Sequence, residues 1–125
     1  MSAKGSDLAT IKEIFDVVTQ TQRQIQAVNM TPERFLNPLT DADDLLAEGV
    51  MNRILRVTEE AGRISDEVAE RYGFDTRGAV GVRNRLAHAY GDVDREIVWQ
   101  VISEEFDALL AACRLYCDDQ GIELE

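Results

Sequence analysis

Apolar residues recur at steps of three and four along nearly the whole chain, and that spacing leaves it little to fold into except helices. Leu8, Ile11, Phe15, Val18 and Ile25 mark one side of a first helix expected over residues 7–28, with Ser6 as its N-cap. Thr31-Pro32-Glu33 has the form of a short helical start near residues 32–37, threonine capping and proline in the first turn. Thr40 then caps a long helix, and Asp41, Asp43 and Asp44 suit its positive end. Leu45, Leu46, Ile54, Leu55, Ala61, Ile64 and Val68 carry its apolar side to about Tyr72, where Gly73 stops it. Gly62 within it marks a close helix approach or a bend. A third helix is expected over residues 76–90 and a fourth over 94–118, the latter along Ile97, Val101, Phe106, Leu109, Leu110 and Cys113. Strand-like alternation and hairpin turns between apolar runs are both missing. The economical fold is all-α: an antiparallel up-and-down four-helix bundle with one extra short helix.

A length of 125 residues suits one domain, spanning 1–125, and 45% hydrophobic residues suit a packed core rather than disorder. No stretch has the unbroken apolar length of a membrane span, and Met1-Ser2-Ala3-Lys4-Gly5-Ser6 lacks a signal-peptide core. A cytoplasmic location without membrane contact is therefore expected. Cys113 and Cys117 share a helix side, but with no other cysteine and one histidine they make no zinc set, and they read as packing thiols. No metal or cofactor is expected. Gly78-x2-Gly81 has neither the lysine nor the spacing of a phosphate loop. Glu59-Glu60 and Asp118-Asp119 read as solvated faces, and nothing marks Ser103 as a nucleophile.

The chemistry concentrates in Arg83-Asn84-Arg85-Leu86-Ala87-His88-Ala89-Tyr90, which holds the only histidine of the chain. A histidine, with an unperturbed pKa of roughly 6.5, both gives and takes a proton near neutrality. Arginine carries a permanent charge on a planar fork that fits phosphate oxygens. Together they are the minimum equipment for cleaving a phosphodiester without a metal. At about 100° per residue from Arg83, Tyr90 falls near −20°, Ala87 near 40°, Asn84 near 100° and His88 near 140°. Ala79, Val82, Leu86 and Ala89 gather between roughly 240° and 320°. That apolar stripe is the core side, the polar set points away from it, and small Ala87 leaves room for something to approach. Arg85, near 200°, lies at the edge.

Arg83-x4-His88-x-Tyr90 resembles the signature of the HepT-like ribonuclease toxins of the HEPN superfamily. Gly81-Val82-Arg83-Asn84 before it, Tyr90-Gly91-Asp92-Val93-Asp94 after it and Ile97-Val98-Trp99 in the next helix agree with that family. Where the family often has a Pro-Trp pair before the motif, this chain has Gly73-Phe74-Asp75-Thr76. The resemblance implies a HEPN-like four-helix bundle that dimerises with both motifs facing one groove. It implies a metal-independent endoribonuclease, the toxin of a toxin–antitoxin pair, cutting RNA through a 2′,3′-cyclic phosphate, with no action on DNA. Arg83 and His88 are then the catalytic residues, Asn84, one turn from His88, the candidate for orienting the imidazole or binding substrate, and Arg85 a second candidate for binding substrate. The resemblance also implies a cognate nucleotidyltransferase antitoxin that adds AMP to Tyr90. The homodimer has a bottom-up reason as well: one histidine does not stand on both sides of an in-line transfer, and a two-fold axis supplies a second. The competing reading is a non-catalytic helical module that binds a nucleotide or a partner protein in the same groove.

The net charge of −11 opposes a polyanion. Its distribution softens that opposition, because from Arg71 to Arg95 five arginines face only Asp75, Asp92 and Asp94. Such a strip suits a short single-stranded or looped RNA better than a long duplex.

Overall fold

The computed structural model describes residues 3–88 and 92–124, with side chains over 7–88 and 95–124. The elements are α1 (Ala3–Ala27), α2 (Pro32–Leu36), α3 (Asp41–Ala61), α4 (Asp66–Tyr72), α5 (Thr76–His88), α6 (Asp92–Gln100), a π turn (Val101–Glu105) and α7 (Phe106–Asp119). Among the described residues there is no strand, and the expected all-α bundle is what forms. None of these helices is long and apolar enough to cross a membrane.

α1 begins before Ser6, so Ser6 lies inside the helix rather than capping it. The helix sits between α3 and α7, which is why its buried set, Ile11, Ile14, Phe15, Val17 and Val18, is wider than a single stripe. Partners of α1 descend α3 as α1 ascends: Ser65 just beyond α3 meets Asp7, Arg56 meets Glu13 and Arg53 meets Gln24. The two helices are therefore antiparallel.

The single long helix expected from Asp41 to Tyr72 breaks after Ala61 into α3 and α4. The cause is part local and part remote in sequence. The buried carboxylate of Asp7 accepts the Ser65 N–H at 3.0 Å and its hydroxyl at 2.6 Å, and the Ser65 Oγ caps α4 by accepting from the Val68 N–H at 3.3 Å. Gly62 ends α3, and a Cβ there would stand 3.0 Å from Val80 Cγ2, so the close approach expected of it is real and α5 is what approaches. Gly73, at φ 86°, stops α4 in the left-handed conformation as anticipated.

Leu45 does not belong to the core; it is 74% exposed. Asp43 explains this. Its side chain turns inward, where Oδ1 accepts from Arg34 Nη2 at 2.6 Å and Nε at 3.1 Å. Arg34 also donates to the carbonyls of Val28 and Asn29 at 2.9 and 2.6 Å, joining the end of α1 to α2 and α3. With Asp43 inside, a residue two positions on is turned about 200° round the helix, to the outside. Phe35 and Met30 fill the core at that end instead.

The regular fourth helix expected over residues 94–118 is interrupted by the π turn. Val101 and Phe106 would lie about 140° apart on a straight α-helix. Here the Phe106 N–H donates to the Val101 carbonyl, five residues back, and both side chains are buried. The extra residue lets the stripe of α6 and the stripe of α7 meet the same core.

Candidate active site

α5 is seated shallowly. Asp75 caps it, Oδ1 accepting the Gly78 N–H at 2.9 Å. Ala79, Val82 and Leu86 pack half-buried against the core, as the periodicity requires, and no residue of the helix is fully buried. Ala89, the last member of that stripe, and Tyr90 lie outside the described residues.

The opposite side carries the motif. Arg83, Asn84, Arg85, Ala87 and His88 are all exposed. Arg77 and Gly81, which the sequence reading passed over, are exposed too and fall near 120° and 160° on the wheel, flanking the direction of Asn84 and His88. Arg77, Gly81, Asn84 and His88 thus form one stripe at steps of four, three and four. A Cβ on Gly81 would meet nothing within 4 Å, so packing inside this chain does not require glycine there. With Ala87 it keeps the motif face low. That spacing could have been read from the sequence once the inner side of the helix was assigned.

Electrostatics narrow the basic strip. Arg71 pairs with Asp119 at 3.6 Å, and Arg95 pairs with Asp44 at 2.7 Å while donating to the Phe35 carbonyl at 2.9 Å. Both arginines are engaged away from the motif. Arg83 reaches across to α3, where Glu59 Oε1 accepts from its Nη2 at 3.3 Å and its Nε at 3.4 Å. Glu59 was expected to be merely solvated; it is the residue that steers the Arg83 fork, and nothing local in sequence signals a partner so far along the chain. Among the described residues Arg77, Asn84, Arg85 and His88 make no side-chain hydrogen bond or ion pair. Asn84 and His88 share a side of α5 but are not joined. These side chains are therefore available to a ligand: two cations, an amide and an imidazole on one exposed helix, with a third cation held by an exposed carboxylate that phosphate can replace.

Other reactive groups serve packing. Burial pushes the Cys113 thiol up to about 12 and raises that of Cys117 as well, so neither is an activated nucleophile. Cys113 directs its Sγ at the Ile11 carbonyl, 3.8 Å away. No cluster of three or more His, Cys, Asp or Glu suited to a metal ion occurs among the described residues.

Comparison with known families adds one finding. The family model described as Ribonuclease HepT-like matches residues 8–115, which takes in all of α5. No solved structure matches the chain.

Proposed function

The chain belongs to the ribonuclease HepT-like family, and from that premise we propose that it is a metal-independent RNA endonuclease, the toxin of a toxin–antitoxin pair, acting at a dimer interface built around α5. The observation that carries the reading is the outward face of α5, where His88, Asn84 and Arg85 stand exposed and unpartnered beside Arg83. A shallow helix with no buried residue also suits an element that a second copy covers.

In this mechanism the ribose 2′-hydroxyl attacks the adjacent phosphorus. His88 of one protomer takes the hydroxyl proton, and the partner's His88 gives a proton to the departing 5′-oxygen. The products are a 2′,3′-cyclic phosphate and a 5′-hydroxyl end. Arg83 leaves Glu59 and holds the phosphate as charge builds on its oxygens. Asn84 and Arg85 hold the flanking nucleotides. DNA lacks the attacking hydroxyl and is not cut. Tyr90 is the acceptor for AMP from a cognate nucleotidyltransferase, whose added negative charge and bulk repel RNA from the groove.

End-group analysis tests the chemistry. Purified protein in chelator should leave cyclic phosphate and 5′-hydroxyl ends on RNA and leave the matching DNA intact; cleavage abolished by chelator, or 5′-phosphate ends, would overturn it. Sedimentation should show a dimer at micromolar concentration, and a monomer cutting RNA at full specific activity would sink the shared groove. Intact mass after co-expression with a nucleotidyltransferase should rise in units of AMP on wild type and not on Tyr90→Phe.

A further inference from the structure

A cavity of about 230 Å³ lies between α3, α5, α6, the π turn and the start of α7, on the flank of α5 that Arg85 occupies. Val57, Ala61, Val82, Val101 and Leu109 contribute its apolar lining, and Asp75, Arg85, Gln100 and Glu105 contribute polar groups that are all exposed. An apolar lining with a few convergent polar groups is the ordinary form of a small-ligand site. Size narrows the ligand. A cavity of about 150 Å³ takes benzene, and drug-sized ligands need about 300 Å³ or more. The space between those limits suits one flat fused-ring heterocycle.

The polar groups narrow it further. Carboxylates accept and do not donate, so a ligand that engages Asp75 and Glu105 brings N–H or O–H donors to them. One oxygen of Asp75 already accepts the Gly78 N–H, which leaves Glu105 as the side chain with both oxygens uncommitted. Two adjacent donors matching two carboxylate oxygens describe the N1–H and N2–H edge of guanine, whereas adenine offers a single amino group there. Arg85 supplies positive charge on the same flank for the attached phosphate. It precedes His88 by one helical turn, and side chains so spaced have Cβ atoms roughly 5–6 Å apart. The π turn has a part in this: it presents Val101 and Glu105 to the cavity, and such turns gather at functional sites.

The geometry points to a guanine-binding subsite in this cavity, which seats the base of a nucleotide flanking the phosphate that is cut; its place beside the scissile bond rests on the ribonuclease reading above. Glu105 reads the base edge, Arg85 carries the chain toward His88, and the apolar lining excludes water from the ring.

Titration of the purified full chain with 5′-GMP and 5′-AMP, followed by NMR, tests the subsite without cleavage. Saturable binding with a preference for GMP of about tenfold or more is expected, the discrimination a good bidentate contact provides. Ala108→Phe, at an exposed position lining the cavity, should fill it and abolish GMP binding while the helical circular dichroism stays intact. Glu105→Gln should keep the fold and narrow the GMP preference. Equal affinity for the two nucleotides, no saturable GMP binding, or unchanged binding by Ala108→Phe would overturn the subsite. A loss of dimer in Ala108→Phe with GMP binding unchanged would overturn it too, and show that a second copy fills the cavity. RNA cleavage by a protein that ignores GMP removes the subsite and leaves the ribonuclease reading standing. GMP binding by a protein that cuts no RNA does the reverse and removes the position beside a scissile bond.

Discussion

Helix α1 holds Ile11, Ile14 and Val18 wholly out of solvent, whereas α5, which bears Arg83 and His88, fully buries nothing along its length. α1 is covered by α3 on one side and α7 on another; α5 rests on its neighbours by one half-covered stripe, and Val80 on it remains 44% exposed. Full burial of a large aliphatic side chain contributes about 1.5–3 kcal/mol, so cohesion is concentrated around α1 and is thin at α5. Residues on the outer face of α5 are accordingly unconstrained by packing, and their identities answer to whatever approaches from outside.

The sharpest way to break this contrast is at His88. His88→Ala should lower RNA cleavage by about 10²–10⁴-fold with the melting temperature unchanged, since the side chain is exposed. A variant that melts early would show that the motif face is part of the fold. The stability side comes next. Ile14→Ala should cost about 2–5 kcal/mol in urea unfolding, and Leu86→Ala on α5 clearly less; equal costs would erase the distinction between the two helices. Acid should act where α2 meets α3. Arg34 hydrogen-bonds Asp43 and holds its carboxylate below the usual range, so the stability this provides is complete above the ordinary Asp pKa of about 3.9 and disappears as pH falls through the lowered folded value. Asp43→Asn should be less stable than wild type at neutral pH and should show a flatter loss of stability on acidification.

Smaller effects sharpen the picture at α5 itself. Gly81→Ala should stabilise the protein by roughly 0.5–1 kcal/mol, because a Cβ there meets nothing, yet it should slow RNA cleavage by raising the low face. Faster or unchanged cleavage would mean that nothing approaches at that point. Glu59→Gln should change stability by no more than about 1 kcal/mol, the range of an exposed ion pair, and should lower KM for RNA by freeing Arg83 and removing a negative charge. A raised KM would mean that Glu59 positions the arginine for substrate rather than competing with it.

Features that depend on neighbours within four residues were legible in the chain. Thr31 and Thr40 cap α2 and α3 through the Arg34 and Asp43 N–H groups, at 3.2 and 3.1 Å, and Gly73 ends α4. The inner stripe Ala79, Val82 and Leu86 was equally legible, and so was the outward direction of Arg83 and His88. The break after Ala61 was missed although its local marks, Gly62 and the Ser65 cap three residues before Val68, stand in the chain; only the Asp7 carboxylate that fixes Ser65 comes from the other end of the sequence. The outward turn of Leu45 was hidden for a related reason: hydrophobicity alone places leucine inward, and the Arg34–Asp43 contact overrides it.

By itself, then, the sequence determined the all-helical class, the Thr31, Thr40 and Gly73 caps and the side of α5 on which the motif stands, because periodicity and capping act over a few residues. Only the tertiary structure decided which arginines remain near that motif, where the fourth helix takes its π turn, and that a cavity opens beside Arg85. Each of these depends on which distant side chains meet across the bundle, and a one-dimensional pattern carries no distance between them.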